Sequence, residues 1–199
     1  MSELADTVSE AVERGAESRM NSAIALMVAV TATFTALCNV KDGNVVQAME
    51  QDESGAVDAW SYYQAKGTKQ NLAEATLDQL TLERDLHPEL NTEQRARLEH
   101  EIATYAARVQ KYAAEKEEIK KKAEGFRSDY DRLNIHDDQF DLAEALMSVS
   151  IALFGITALT RKRLLLGFGV LMAAFGILFG LAGFFRWGLH PDFLTGLLS

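Results

Sequence analysis

The chain has 199 residues, with 48% hydrophobic and 25% charged side chains and a formal net charge of −9. That acidity, with no basic face carrying interleaved aromatics, argues against a nucleic-acid partner. A single cysteine, Cys38, excludes an internal disulfide and any cysteine-based metal cluster, and only two prolines leave room for long uninterrupted helices.

Residues 1–21 carry five acids against two bases and read as an acidic amphipathic tail. Residues 22–40 (SAIALMVAVTATFTALCNV) contain no charged side chain. As a helix they reach about 29 Å, enough to cross the hydrocarbon core of a bilayer. A signal peptide would start with a short basic stretch, whereas this segment follows an acidic one. Leu37 is also too large for the position before a lipoprotein cysteine. The segment therefore reads as an uncleaved first transmembrane helix, with Cys38 as a small packing residue. Ser22, Ala25, Ala29, Ala32 and Ala36 recur at alternating spacings of three and four, which marks a helix-packing face in lipid. The same phase runs back through Ser18, Gly15, Ala11, Val8 and Leu4, so one helix is expected to continue from the tail into the membrane.

Residues 41–141 carry twenty-two acids against fourteen bases and read as an extramembrane helical hairpin. Its first arm, roughly 45–86, bears Trp60, Tyr62, Tyr63, Leu72, Leu77, Leu80, Leu82 and Leu86. Gly67 costs that helix about 1 kcal/mol relative to alanine and offers a place where another backbone comes close. His87-Pro88-Glu89-Leu90-Asn91 is the predicted break, because proline disfavours helix in the residue before it. Asn91 and Gln94 then stand in capping-box positions. In the second arm Leu98, Ile102, Tyr105, Val109, Tyr112, Lys116, Ile119, Ala123, Phe126, Tyr130 and Leu133 alternate spacings of four and three. Nine of the eleven are large and apolar or aromatic, a pattern expected of a coiled coil.

Residues 142–160 and 164–185 are the second and third apolar segments, separated by Arg161, Lys162 and Arg163 in a tight helical hairpin. The third places Gly169, Gly176, Gly180 and Gly183 near one face, including a G-x-x-x-G. Residues 186–199 are too few to span and read as an interfacial tail that starts with Arg186 and Trp187. The three bases of the short link mark the cytoplasmic side. That places the N-terminus in the cytoplasm and residues 41–141 outside it.

Two groups of residues are candidates for more than architecture. His136, Asp137, Asp138, Asp141 and Glu144 lie where the second apolar segment begins. In an oligomer they would form a cation-attracting cluster at a pore mouth. The plainer reading of Asp137 and Asp138 is capping of a helix N-terminus; for Glu144 both readings stay open. Trp60, Tyr62, Tyr63 and Lys66 offer an aromatic and cationic contact surface, or packing within the hairpin. No phosphate loop, zinc-protease helix or nucleophile elbow is present, so neither an enzyme nor a cofactor is expected.

Trp60-Ser61-Tyr62-Tyr63-Gln64-Ala65-Lys66, Lys69-Gln70, Glu115 through Ile119 and His136 through Leu146 resemble a bacterial membrane family catalogued as domain of unknown function 4337. The resemblance implies a bacterial envelope protein and supplies no activity, ligand or active site. The expectation is thus an all-α integral membrane protein of the bacterial inner membrane, with three transmembrane helices and a long extramembrane hairpin. Its glycine and alanine faces, with the heptad seam, are expected to make it a self-associating homo-oligomer, the alternative being packing within one three-helix subunit. The function expected is that of a non-enzymatic scaffold or docking surface in contact with membrane lipid, the alternative being an oligomeric channel or transport component.

Overall fold

The computed structural model of the chain describes the backbone of residues 2–189 and the side chains of residues 19–189. Expectations for the C-terminal tail beyond residue 189, and for side chains before residue 19, lie outside the described residues. Among the described residues the regular structure is all helical: α1 Ser2–Leu86, α2 Thr92–Thr160 and α3 Arg163–Phe185. All three contain stretches long and apolar enough to cross a membrane. The continuous α1 agrees with the phase that ran from the tail into segment one. A second continuity was not foreseen, since α1 and α2 each pass from an apolar segment into a charged one without a break. No proline or glycine pair interrupts either junction, and nothing else there ends a helix.

The break at Pro88 falls where expected. The Asn91 side chain accepts from the Gln94 N–H at 2.8 Å, and the Gln94 side chain accepts from the Asn91 N–H at 3.1 Å. This reciprocal pair satisfies two amides at the start of α2. At the other end of α2, Arg161 adopts the left-handed conformation (φ 57°), and its N–H bonds to the Thr157 carbonyl at 2.8 Å.

The chain divides into two compact units. In the unit formed by residues 49–131, α1 and α2 run antiparallel, with Gly55 against Phe126, Lys66 against Glu115 and Arg84 against Glu99. The ten seam positions from Leu98 to Tyr130 are each partly or wholly covered. Ala59, Ala73 and Ala123 are buried between the two helices. At Gly67 no backbone approaches: the nearest neighbours of an added Cβ would be Nζ and Cε of Lys116, at 3.7 and 3.8 Å. A flexible lysine stem fills that space instead.

In the unit formed by residues 1–48 and 132–199, α3 packs on both other helices through its glycine face. Gly169 receives the ring of Phe154, Gly180 the ring of Phe34, Gly183 the ring of Phe140, and Gly176 the Met147 side chain with the Ala143 carbonyl. A Cβ at any of the four would meet another atom at 2.6–2.8 Å. Ser150 Oγ donates to the Gly169 carbonyl at 2.8 Å, which ties α2 to α3. Phe34, Phe140 and Phe184 meet at one end, with ring centroids 5.5 and 6.2 Å apart. Ile24, Phe154 and Ala173 form a core cluster elsewhere in the unit. The glycine face is therefore consumed inside one chain. Ala25, Ala29, Ala32 and Ala36 are all exposed.

Candidate functional site

Expectation placed five residues, His136 to Glu144, in one cluster. The helix separates them. Asp137, Asp141 and Glu144 follow each other at spacings of four and three, so they share a face of α2. His136 stands about 100° away. It is buried, and its Nδ1 lies 3.2 Å from Oε1 of Gln139, whose Nε2 donates to the backbone carbonyls of Trp187 and Leu189. His136 thus belongs to a polar latch on the chain leaving α3. Asp138 faces Asn134, whose Nδ2 lies at 3.5 Å.

The capping reading of Asp137 and Asp138 fails because no helix begins there. α2 starts at Thr92, and the amides around residue 137 are satisfied within the helix. What faces Asp137 is another carboxylate. Asp42 of α1 shares a hydrogen bond with Asp137, while its Oδ1 is buried with no hydrogen-bond partner among the described residues. Burial, then repulsion from Asp137 and Asp141, pushes the Asp42 carboxyl up to about 7. Burial and the Asp141 charge also raise Asp137. Two like charges this close favour a single shared proton, with Asp42 the protonated donor and Asp137 the acceptor. One turn before Asp42, Asn39 bonds Glu144: its amide nitrogen lies 3.4 Å from Oε1, or 3.3 Å from Oε2 with the amide turned over.

Asp42 and Asn39 were missed from the sequence, although a signal was available. Folding the chain back at Pro88 sets residue 42 opposite residues near 140. Asp42, Asp137, Asp141 and Glu144 therefore line one pair of helices at the edge of the apolar segments. The arrangement concentrates negative charge and holds a proton near neutral pH. No group of three histidine, cysteine or acidic side chains is arranged to hold a metal ion among the described residues.

The aromatic and cationic group divides between packing and surface. The Lys66 ammonium bonds Glu115 and lies 5.3 Å from the Tyr62 ring centroid and 5.4 Å from that of Tyr112. That bond holds Glu115 below the usual carboxylate range. Lys116 lies 5.0 Å from the Tyr63 ring centroid, and Trp60 meets Tyr63 edge-on at 5.4 Å. Lys66 and Tyr63 are thus partly covered cross-helix contacts, whereas Trp60 and Tyr62 are exposed.

A family model described as Domain of unknown function (DUF4337) matches residues 20–186, more than four fifths of the chain. No curated protein and no solved structure matches the chain.

Proposed function

Because the chain belongs to the family described as Domain of unknown function (DUF4337), we propose a role drawn from its own geometry: a non-enzymatic, self-associating protein of the bacterial inner membrane, whose extramembrane helix pair is a coiled-coil scaffold or docking surface. Three apolar helices support the membrane setting. The positive link at residues 161–163 supports a cytoplasmic N-terminus, with residues 41–141 on the other side.

The observation that carries self-association is the open alanine face of α1. Small residues let helices approach closely in lipid, where hydrophobicity alone does not drive association. Ala25, Ala29, Ala32 and Ala36 provide such a face, and nothing among the described residues covers it. Outside the apolar segments, Val57, Leu72, Leu82 and Leu86 are 58–69% exposed. At 3.6 residues per turn they fall within about 80° of one another around α1. Four large apolar side chains on one face in water support a docking role.

Disulfide trapping tests the proposal. With Cys38→Ser as background, Ala29→Cys in native membranes should give a covalent dimer on mild oxidation, while Val30→Cys, on another face, should not. A chain that stays monomeric at every protein-to-lipid ratio, or that cross-links equally at both positions, would sink it. A second reading, a cation path in an oligomer, is favoured by the convergence of Asp42, Asp137, Asp141 and Glu144. Exchanging Asp141 and Glu144 for asparagine and glutamine should then lower cation conductance in bilayers. Unchanged currents would remove those carboxylates from any conduction mechanism.

A further inference from the structure

Within the unit formed by residues 49–131 there is a cleft of about 400 Å³ between α1 and α2. Its volume is that of a small-molecule site. Three aromatic side chains, Trp60, Phe126 and Tyr130, share its walls with three carboxylates, Asp52, Glu53 and Glu124. We propose that this cleft, with aromatic walls and an acidic rim, binds a small alkylated ammonium ion, a quaternary trimethylammonium group best of all.

The charge arrangement points to that chemistry. Arg127 is the single base on the lining, and it is already committed: its guanidinium bonds Asp131 at 3.3 Å and lies 5.7 Å from the Tyr130 ring centroid. Glu124 is paired with Lys120 at 3.8 Å. Asp52 and Glu53 have no ion pair among the described residues. Two carboxylates without an ion pair thus line the same cleft as three aromatic rings, whose quadrupoles attract cations. Two of those rings already hold a cation in this way, Tyr130 the Arg127 guanidinium and Phe126 the Lys122 ammonium, 5.7 Å from its centroid, which leaves Trp60 open. An inorganic cation would gain little from the rings, since it would have to shed water to reach them. An alkylated ammonium ion is weakly hydrated and presents methyl groups to the same walls, so both features of the cleft contribute.

The backbone holds one wall in place. The Phe126 ring lies directly on Gly55, where an added Cβ would fall 2.8 Å from Cζ and 2.9 Å from Cε1. A side chain at position 55 would push the ring out of its present seat. Trp60 is 39% exposed, so the opposite wall is reachable from solvent. The W-x-Y-Y-Q-A-K run contributes to the site through its first residue.

The test uses the full-length protein in a detergent without choline headgroups, titrated with choline chloride at constant ionic strength. Saturation transfer from the protein to the choline methyl protons is followed by NMR. The parallel probe is 3,3-dimethyl-1-butanol, the neutral isostere of choline. Choline should give a saturable signal and the isostere a response at least tenfold weaker. The double substitution Asp52→Asn with Glu53→Gln should weaken choline binding by about tenfold, the size of effect expected when two charges near aromatic walls are removed. Gly55→Leu should weaken it as well, in protein whose helical circular dichroism is unchanged. Absence of saturation, or an equal response from the neutral isostere, overturns the proposal without reliance on any variant. Unchanged affinity in the double variant overturns it too.

Discussion

Replacing Gly176 by alanine should loosen the three-helix unit, whereas the same change at Gly167 in the same helix should not. A Cβ at Gly176 would lie 2.6 Å from Cγ of Met147, 3.1 Å from the Ala143 carbonyl oxygen and 3.3 Å from the Met147 amide nitrogen. Two of those three atoms are backbone, and the Met147 side chain is fully buried, so relief requires α2 and α3 to move apart. Overpacking of this kind costs about 1–3 kcal/mol. A Cβ at Gly167 would find nothing within 4 Å. Alanine improves helix propensity by about 1 kcal/mol at either site, and that term cancels when the two variants are compared. The expected difference is therefore the packing term, about 1–3 kcal/mol, or roughly a 5- to 150-fold change in the population of opened unit. Cys38 supplies the assay, because it is the one cysteine in the chain and is 0% exposed. Its rate of alkylation by a maleimide in mild detergent, with fast reclosing, reports that population. Gly176→Ala should label much faster than Gly167→Ala. Equal rates would mean that α3 does not press its glycine face against α2.

Two further outcomes follow from the same unit. The folded chain holds a proton on Asp42 up to about pH 7, whereas the unfolded chain releases it near 3.8. The folded state therefore binds more protons between those values, and stability falls as pH rises from about 4 to about 7. Asp42→Asn should flatten that slope in thermal unfolding followed by circular dichroism in detergent; an unchanged slope would show that Asp42 is not the group responsible. Ser150→Ala removes the hydroxyl that donates to the Gly169 carbonyl and should cost about 0.6–1.5 kcal/mol. Maleimide labelling of Cys38 checks it, since a rate equal to that of the unaltered chain would mean the bond contributes nothing.

Local chemistry was the most legible part of the fold. Pro88 stops a helix by its own geometry, and the Asn91 and Gln94 side chains bond within one turn, so neither feature depends on the rest of the molecule. The seam from Leu98 to Tyr130 was legible for a related reason: its period alone states which face of α2 is covered. The site was harder to read because it is made across helices. The proximity of Asp42 to Asp137 depends on the register of α1 against α2, which no local pattern in either helix states. Acids at residues 137 and 138 also imitate a helix start, and only the absence of any break in α2 removes that reading. His136 shows the converse error. It is adjacent in sequence to Asp137, yet one step around a helix carries it to the Gln139 latch.

The glycines of α3 and the alanines of α1 obey the same spacing rule and meet opposite fates. Period identifies a face capable of close approach; connectivity decides what can approach it. A link of two residues, Arg161 and Lys162, forces α3 back along α2, so the glycine face finds partners in its own chain before any other helix can compete. α1 meets α3 through Phe34 and Cys38, which face Gly180. Those contacts fix its rotation and leave Ala25, Ala29, Ala32 and Ala36 on the outside. Proposed self-association thus depends on α1 alone. Filling the alanine face with bulky side chains should abolish the Ala29→Cys cross-link without speeding Cys38 labelling, because that face has no part in holding the three helices together.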